Sequence, residues 1–160
     1  MAASNKKNKK VKTVEFVNKK ASFLYKLTDT FEAGIMLGGT EIKAIRSGHV
    51  NLTDAYCFFQ KGELFVKSLY IKEYDYGTYF NHEPRRDRKL LLKRRELKKL
   101  ERKIREKGFT IVPLRLYLSE RGFAKLEIAL AQGKRSFDKR NTIKEKDQRR
   151  DMDRIKKIRL

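Results

Sequence analysis

Two carboxylates, Glu32 and Glu41, flank the stretch "AGIMLGGT", and with His49, His82 and Cys57 they are the side chains closest to enzyme chemistry. A glutamate pair performs general acid–base work when its surroundings push the two pKa values apart. Here Glu32 reads as a strand-end hydrogen-bonding carboxylate and Glu41 as a helix-face charge. The histidines lie far apart, and neither has a Cys or His at ligand spacing, so a structural zinc site has no support. Cys57 sits between Tyr56 and Phe58 in an apolar run, which reads as core. As the sole cysteine it can form no internal disulfide, and the cytosol is the natural compartment. The glycines of "GIMLGGTEIKAIRSG" lack the G-x-G-x-x-G order, and no P-loop, G-x-S-x-G or H-E-x-x-H occurs. Neither an enzyme, a metal nor a cofactor is expected. On a basic surface, carboxylates have another use: they accept hydrogen bonds from base amino groups or ribose hydroxyls.

The surface is basic. Among 160 residues, 41 Lys or Arg oppose 20 Asp or Glu, a formal charge of +21. Residues 1–20 carry +6, residues 85–107 carry +9 and residues 133–160 carry +7, which leaves −1 for everything else. A nearly neutral body thus wears three basic appendages, a distribution suited to a polyanion: nucleic acid first, an anionic membrane second. "MAASNKKNKK" has no apolar h-region and the first arginine is Arg46, so neither a secretory signal nor an Arg-rich transit peptide fits. No apolar stretch approaches the ~18 residues that span a bilayer.

The elements that must position these groups follow from pattern. Residues 1–12 read as a disordered basic arm. Residues 23–37 read as a strand or bent strand pair kinked at Gly34. "GGTEIKAIRSG" reads as a short helix capped by Thr40 and stopped at Gly48, with Glu41 and Lys43 exposed. Two β-rich runs around Gln60-Lys61-Gly62-Glu63 make a hairpin. An aromatic loop follows, whose Tyr74, Tyr76, Tyr79 and Phe80 are expected to cover the open end of a barrel rather than stack on bases. A long helix over 85–107 carries the stripe Leu90, Leu97, Leu100 and Ile104, ended by Lys107 and Gly108. A second hairpin turns at Ser119 to Gly122, with Pro113 at an edge or bulge. The sum is a mainly β protein with helices: an OB-like antiparallel β-barrel over 13–132, flanking helices, and a basic C-terminal tail over 133–160.

Three stretches in register, "FEAGIMLGGTEIKAIRSG", "NHEPRRDRKLLLKRREL" and "GKRSFDKRNTIKEK", with "EKGFTIVPLRLYL" between the last two, resemble the SsrA-binding protein (small protein B) family over about residues 13–160. The chain departs from the family's pattern at Ser22, Phe23 and Leu24, at Ala44, and at Phe137. The resemblance implies a partner in transfer-messenger RNA and action at ribosomes stalled on truncated messages, with elongation factor Tu and alanyl-tRNA synthetase joined through the RNA. It implies RNA contacts by Asn18, Lys19, Lys20 and Tyr25, then by Glu32, Glu41, Lys43 and Arg46, and by Lys89, Leu91 and Lys125. It further implies a tail, flexible when free, that becomes helical in the empty message channel. Gly133 would serve there as flexible exit, Lys134, Arg135, Lys139 and Arg140 as phosphate contacts, and Phe137 as a stacking ring. Asp138 would orient a cation or cap a helix beginning near Asn141, and Ile155 lies on the helix's narrow contact stripe. A structural ribosomal protein would share the charge but stay on intact subunits.

Overall fold

The computed structural model describes residues 14–106 and 108–158. The expected arm over 1–12 and the cation Lys107 lie outside them. In chain order the elements are β1 (Glu15–Val17), α1 (Ala21–Leu24), β2 (Tyr25–Ile35), α2 (Gly39–Arg46), β3 (Val50–Asn51), β4 (Tyr56–Gln60) and β5 (Glu63–Lys67). Then follow β6 (Tyr70–Ile71), β7 (Arg88–Leu91), α3 (Arg94–Arg105), β8 (Phe109–Leu118), β9 (Ala124–Gly133) and α4 (Ser136–Ile158).

The strands form an antiparallel sheet in the order β1-β8-β4-β5-β7-β2-β9, and β9 pairs back onto β8. Strands β8, β4, β5, β7, β2 and β9 therefore close into a barrel-like ring that leaves none of the six as a free edge, while β1 adds to β8 outside the ring. Leu64, Val66, Leu116, Leu126 and Ile128 fill the interior with no exposed surface. Cys57 lies in the same core, where burial pushes its thiol up and makes it inert. The β4–β5 turn takes positive φ at Lys61 and Gly62, a type I′ turn that matches strand twist. Pro113 falls at a register irregularity in β8, where the strand's neighbour changes from β4 to β1. A residue without an N–H costs no ladder bond at that point.

Several elements differ from expectation. The helix over 85–107 is instead strand β7 followed by helix α3. In "RKLL", Arg88 and Leu90 point inward while Lys89 and Leu91 point outward, a period of two that the neighbouring leucine run hides. Glu96 starts α3 by accepting the Lys93 N–H at 3.0 Å. The irregularity in β2 lies between Leu27 and Thr30, not at Gly34. The cap of α2 is Gly38 rather than Thr40, because Glu41 reaches back to accept the Gly38 N–H at 2.6 Å. Gly133 is the last rung of β9, paired with Tyr25, rather than a loose exit.

Glu41, expected on the surface, has no exposed surface, and neither has Arg88. The Glu41 carboxylate accepts from Arg88 Nε at 2.7 Å and from Arg86 at 2.6 and 2.8 Å. Arg88 also donates to the carbonyls of Leu69 (2.6 Å), Arg86 (3.1 Å) and Pro84 (3.2 Å). Burial alone would push the Glu41 carboxyl up, but the bonds from Arg86, Gly38 and Arg88 outweigh it and hold the group below its ordinary value. A depressed folded-state pKa gives stability that is present above the unfolded-state value, about 4.3 for Glu, and is lost as pH falls through the folded value. Glu41→Gln leaves the buried Arg88 charge without a counter-ion and should cost about 3–5 kcal/mol in urea unfolding at neutral pH. The gap between variant and wild type should narrow in acid; a gap independent of pH would refute the linkage.

Candidate RNA interface

At the end of the ring where β2 meets β7 and β9, Gly34 lies opposite both Leu91 and Lys125. A Cβ on Gly34 would stand 3.3 Å from Leu91 Cβ, so glycine leaves room there for the leucine to project. Leu91 is half exposed and separates two hollows. The larger, about 670 Å³, is lined by Leu37, Ile42, Leu91 and Phe123 with Arg46, Arg121 and Lys125 at its polar positions. The smaller, about 450 Å³, is bounded by Glu32, Leu91, Leu92, Lys93, Glu96 and Lys125. The result is a cleft with an apolar floor and a mostly cationic rim.

Glu32 is the acid on that rim. It accepts from the Tyr117 hydroxyl and lies 3.4 Å from Lys125 Nζ. The Tyr117 bond, aided by Lys125 and Arg115 against the opposing effect of burial, holds the Glu32 carboxyl below its ordinary value. The same bond pushes Tyr117 up to about 12, so at neutral pH the phenol donates and the carboxylate accepts. Glu32 is thus an ionised acceptor whose repulsion of phosphate Lys125 offsets.

The structure gathers Glu32, Arg46, Leu91 and Lys125 into this cleft. Lys19, Lys20 and Tyr25 stand near the other end of β2, roughly 30 Å away at about 3.3 Å per residue. Lys43 is on the far side of α2 with its Nζ 5.4 Å from the Tyr74 ring, and Lys89 pairs with Glu63 at 2.5 Å on the ring's outer wall. Two expected contacts are internal. Glu41 is sealed in the arginine network, and Asn18, 8% exposed, donates from Nδ2 to the carbonyls of Leu52 (3.2 Å) and Pro113 (3.1 Å). Asn18 therefore stitches the β8 irregularity to the loop before β4. Phe123, Arg121 and Tyr117 were not legible as site residues. Phe123 and Arg121 sit in a hairpin turn, and only strand register brings Tyr117 to Glu32.

In the tail, α4 starts at Ser136, five residues before the expected Asn141, so Asp138 lies in its first turn rather than at a cap. Lys134 is anchored: its N–H donates to the Leu24 carbonyl and its Nζ to the Ser22 carbonyl at 2.9 Å. Arg135, Phe137, Asp138, Arg140 and Ile155 are exposed, and Lys139 is half-buried.

Among the described residues no group of three or more His, Cys, Asp or Glu could hold a metal, and no helix is long and apolar enough to cross a membrane. A barrel-like ring with a cation-rimmed apolar cleft is the build of a nucleic-acid-binding module. Residues 15–158 match the family model described as SmpB protein, and the chain belongs to that family. It is 55% identical to the SsrA-binding protein of Parabacteroides distasonis over 148 residues, covering 92% of this chain and 97% of the relative. It is 56% identical to the SsrA-binding protein of Bacteroides thetaiotaomicron over 143 residues, covering 89% and 95%. A solved structure described as "tmRNA-SmpB: a journey to the center of the bacterial ribosome" superposes with a TM-score of 0.66 at 46% identity, covering 77% of this chain and 86% of that one.

Tyr117→Phe removes the main bond that depresses Glu32. Carboxyl NMR titration should show the Glu32 pKa rise toward its ordinary value; an unmoved titration would leave the cations Lys125 and Arg115 as the causes.

Proposed function

We propose that this chain binds the tRNA-like domain of transfer-messenger RNA through the Glu32–Leu91–Lys125 cleft and delivers that RNA to stalled ribosomes in the cytoplasm. The cleft carries the reading, because each of its three kinds of group has a use on folded RNA. Arg46, Arg121 and Lys125 meet phosphates. Leu91 and Phe123 pack on sugar and base surface exposed in loops. Glu32, ionised and pre-oriented by Tyr117, accepts from a base amino group or a 2′-hydroxyl, which gives selectivity that cations alone lack. The chain works by binding and placement, with no chemical step of its own. Elongation factor Tu and alanyl-tRNA synthetase meet it through the shared RNA.

Binding of the isolated tRNA-like domain, followed across salt concentrations, tests the cleft. Lys125→Ala should weaken binding and reduce the log–log salt slope by about one. Leu91→Ala and Glu32→Ala should weaken it with the slope unchanged. Uniform strengthening toward all RNAs by Glu32→Ala would make Glu32 mere background repulsion and reject the reading.

The tail serves the second step. Its cations suit a channel of ribosomal RNA, and the ion pairs Asp147–Arg150 and Asp151–Arg154 support α4 along its length. We place α4 in the empty message channel, with Phe137, 70% exposed in its first turn, free for stacking at the decoding site. Scrambling Ser136 to Arg140 at constant composition should leave RNA binding and ribosome association intact but abolish peptide tagging in a reconstituted translation assay. Normal tagging would reduce the tail to a polybasic tether.

A further inference from the structure

Tyr76, Tyr79 and Phe80 are 85%, 98% and 92% exposed, so the aromatic loop does not close the ring of strands as expected. Full exposure of three rings within five residues forgoes a large apolar burial, since each aromatic side chain can bury about 150–250 Å². The loop cannot collapse to recover it. Asn81 clips the loop shut, donating from Nδ2 to the Tyr74 carbonyl at 2.9 Å and accepting the Tyr74 N–H at 3.2 Å. Gly77 fits beneath this clip, where a Cβ would stand 2.6 Å from Asn81 Nδ2 and 2.9 Å from the Tyr74 carbonyl oxygen. His82 next door ties the loop to α2 and β6. The Thr40 hydroxyl donates to its Nδ1 at 2.9 Å, and its Nε2–H donates to the Ile71 carbonyl at 3.1 Å, a tautomer fixed because a carbonyl can only accept. The backbone of the loop is therefore held in a shape that leaves these three rings in solvent.

The loop continues the cleft. Helix α2 supplies Ile42 and Arg46 to the cleft, while Thr40 and Lys43 of the same helix meet the loop. A strand crossing from one to the other passes over a single helix, about 10–12 Å across. Charge around the loop is balanced: Lys43, Lys72 and Arg85 oppose Glu73, Asp75 and Glu83, and Lys72 is paired to Asp75 at 2.8 Å. Affinity there comes from ring faces rather than phosphate attraction.

We propose that Tyr76, Tyr79 and Phe80 form a stacking platform for unpaired bases of the same RNA that fills the cleft. The inference rests on the RNA-binding reading and adds a second contact of a different physical kind. Its signature is affinity lost without any change in salt dependence, because removing a ring frees no counterions.

The test compares the full chain with Tyr76→Ala/Tyr79→Ala/Phe80→Ala on the tRNA-like domain across salt concentrations. Slow amide exchange at Tyr74 and Gly77 serves to verify that the clip persists. The triple variant should bind at least about fivefold more weakly, the lower bound for one stacked base, at an unchanged salt slope. The single variant Asn81→Ala, which keeps the rings but frees the loop, should lose part of the same affinity. Equal binding by the triple variant overturns the platform and leaves the rings to a protein partner. A changed slope overturns it too, since the loop would then act through charge. Failure of the wild-type chain to bind the RNA would instead reject the cleft reading, a distinguishable result.

Discussion

Glu41 and Arg88 form an ion pair with neither member reaching solvent, and the geometry of the functional end of the molecule hangs on it. Desolvating two charges costs several kcal/mol each, repaid only when geometry and further hydrogen bonds are good. Here the guanidinium fork engages the carboxylate and three carbonyls, so Leu69, Pro84, the start of β7 and the start of α2 are fixed to one another. A lysine, with one ammonium and no planar fork, could not reach the same four partners. An apolar pair of similar volume would fill the space but would not specify where α2 must start.

That placement explains why the groups proposed to meet RNA occur on both sides of one short helix. With Glu41 drawn inward, Ile42 and Arg46 turn toward the cleft and Lys43 toward the aromatic loop. Ala44 and Ile45 complete the buried face. Glu32 shows the opposite use of a carboxylate. It is kept in solvent and ionised by a phenol and an ammonium, so it stays available to a ligand. Two acids nine positions apart thus split into a buried strut and an exposed, ionised acceptor because one meets arginines in the interior and the other meets Tyr117 at the surface.

The tail is tied to the body by a similar economy of contacts. Lys134 bonds to two carbonyls around α1, which sets the direction in which α4 leaves β9. Beyond that anchor the helix is mostly exposed and stands on local pairs. The body therefore fixes the root of the tail and leaves its cationic length free for a partner.

The charge blocks, the two hairpins, the absence of enzyme motifs and the basic tail were all legible in the sequence. Each follows from local composition or from a turn whose φ only certain residues adopt. The β4–β5 hairpin is the clearest case, with Lys61 and Gly62 at the two positive-φ positions. The stretch over 85–93 misled because Leu90, Leu97 and Ile104 repeat at seven, and a heptad in sequence does not say whether its first member belongs to the helix. Strand pairing with β5 and β2 decided that. Burial of Asn18 and Glu41, the partnership of Glu32 with Tyr117, and the tie of His82 to Thr40 beside the aromatic loop join residues far apart in the chain. Local sequence sets propensity and charge; which polar group is sealed in and which is left at the surface depends on strand register and on partners that only the closed ring brings within hydrogen-bonding distance.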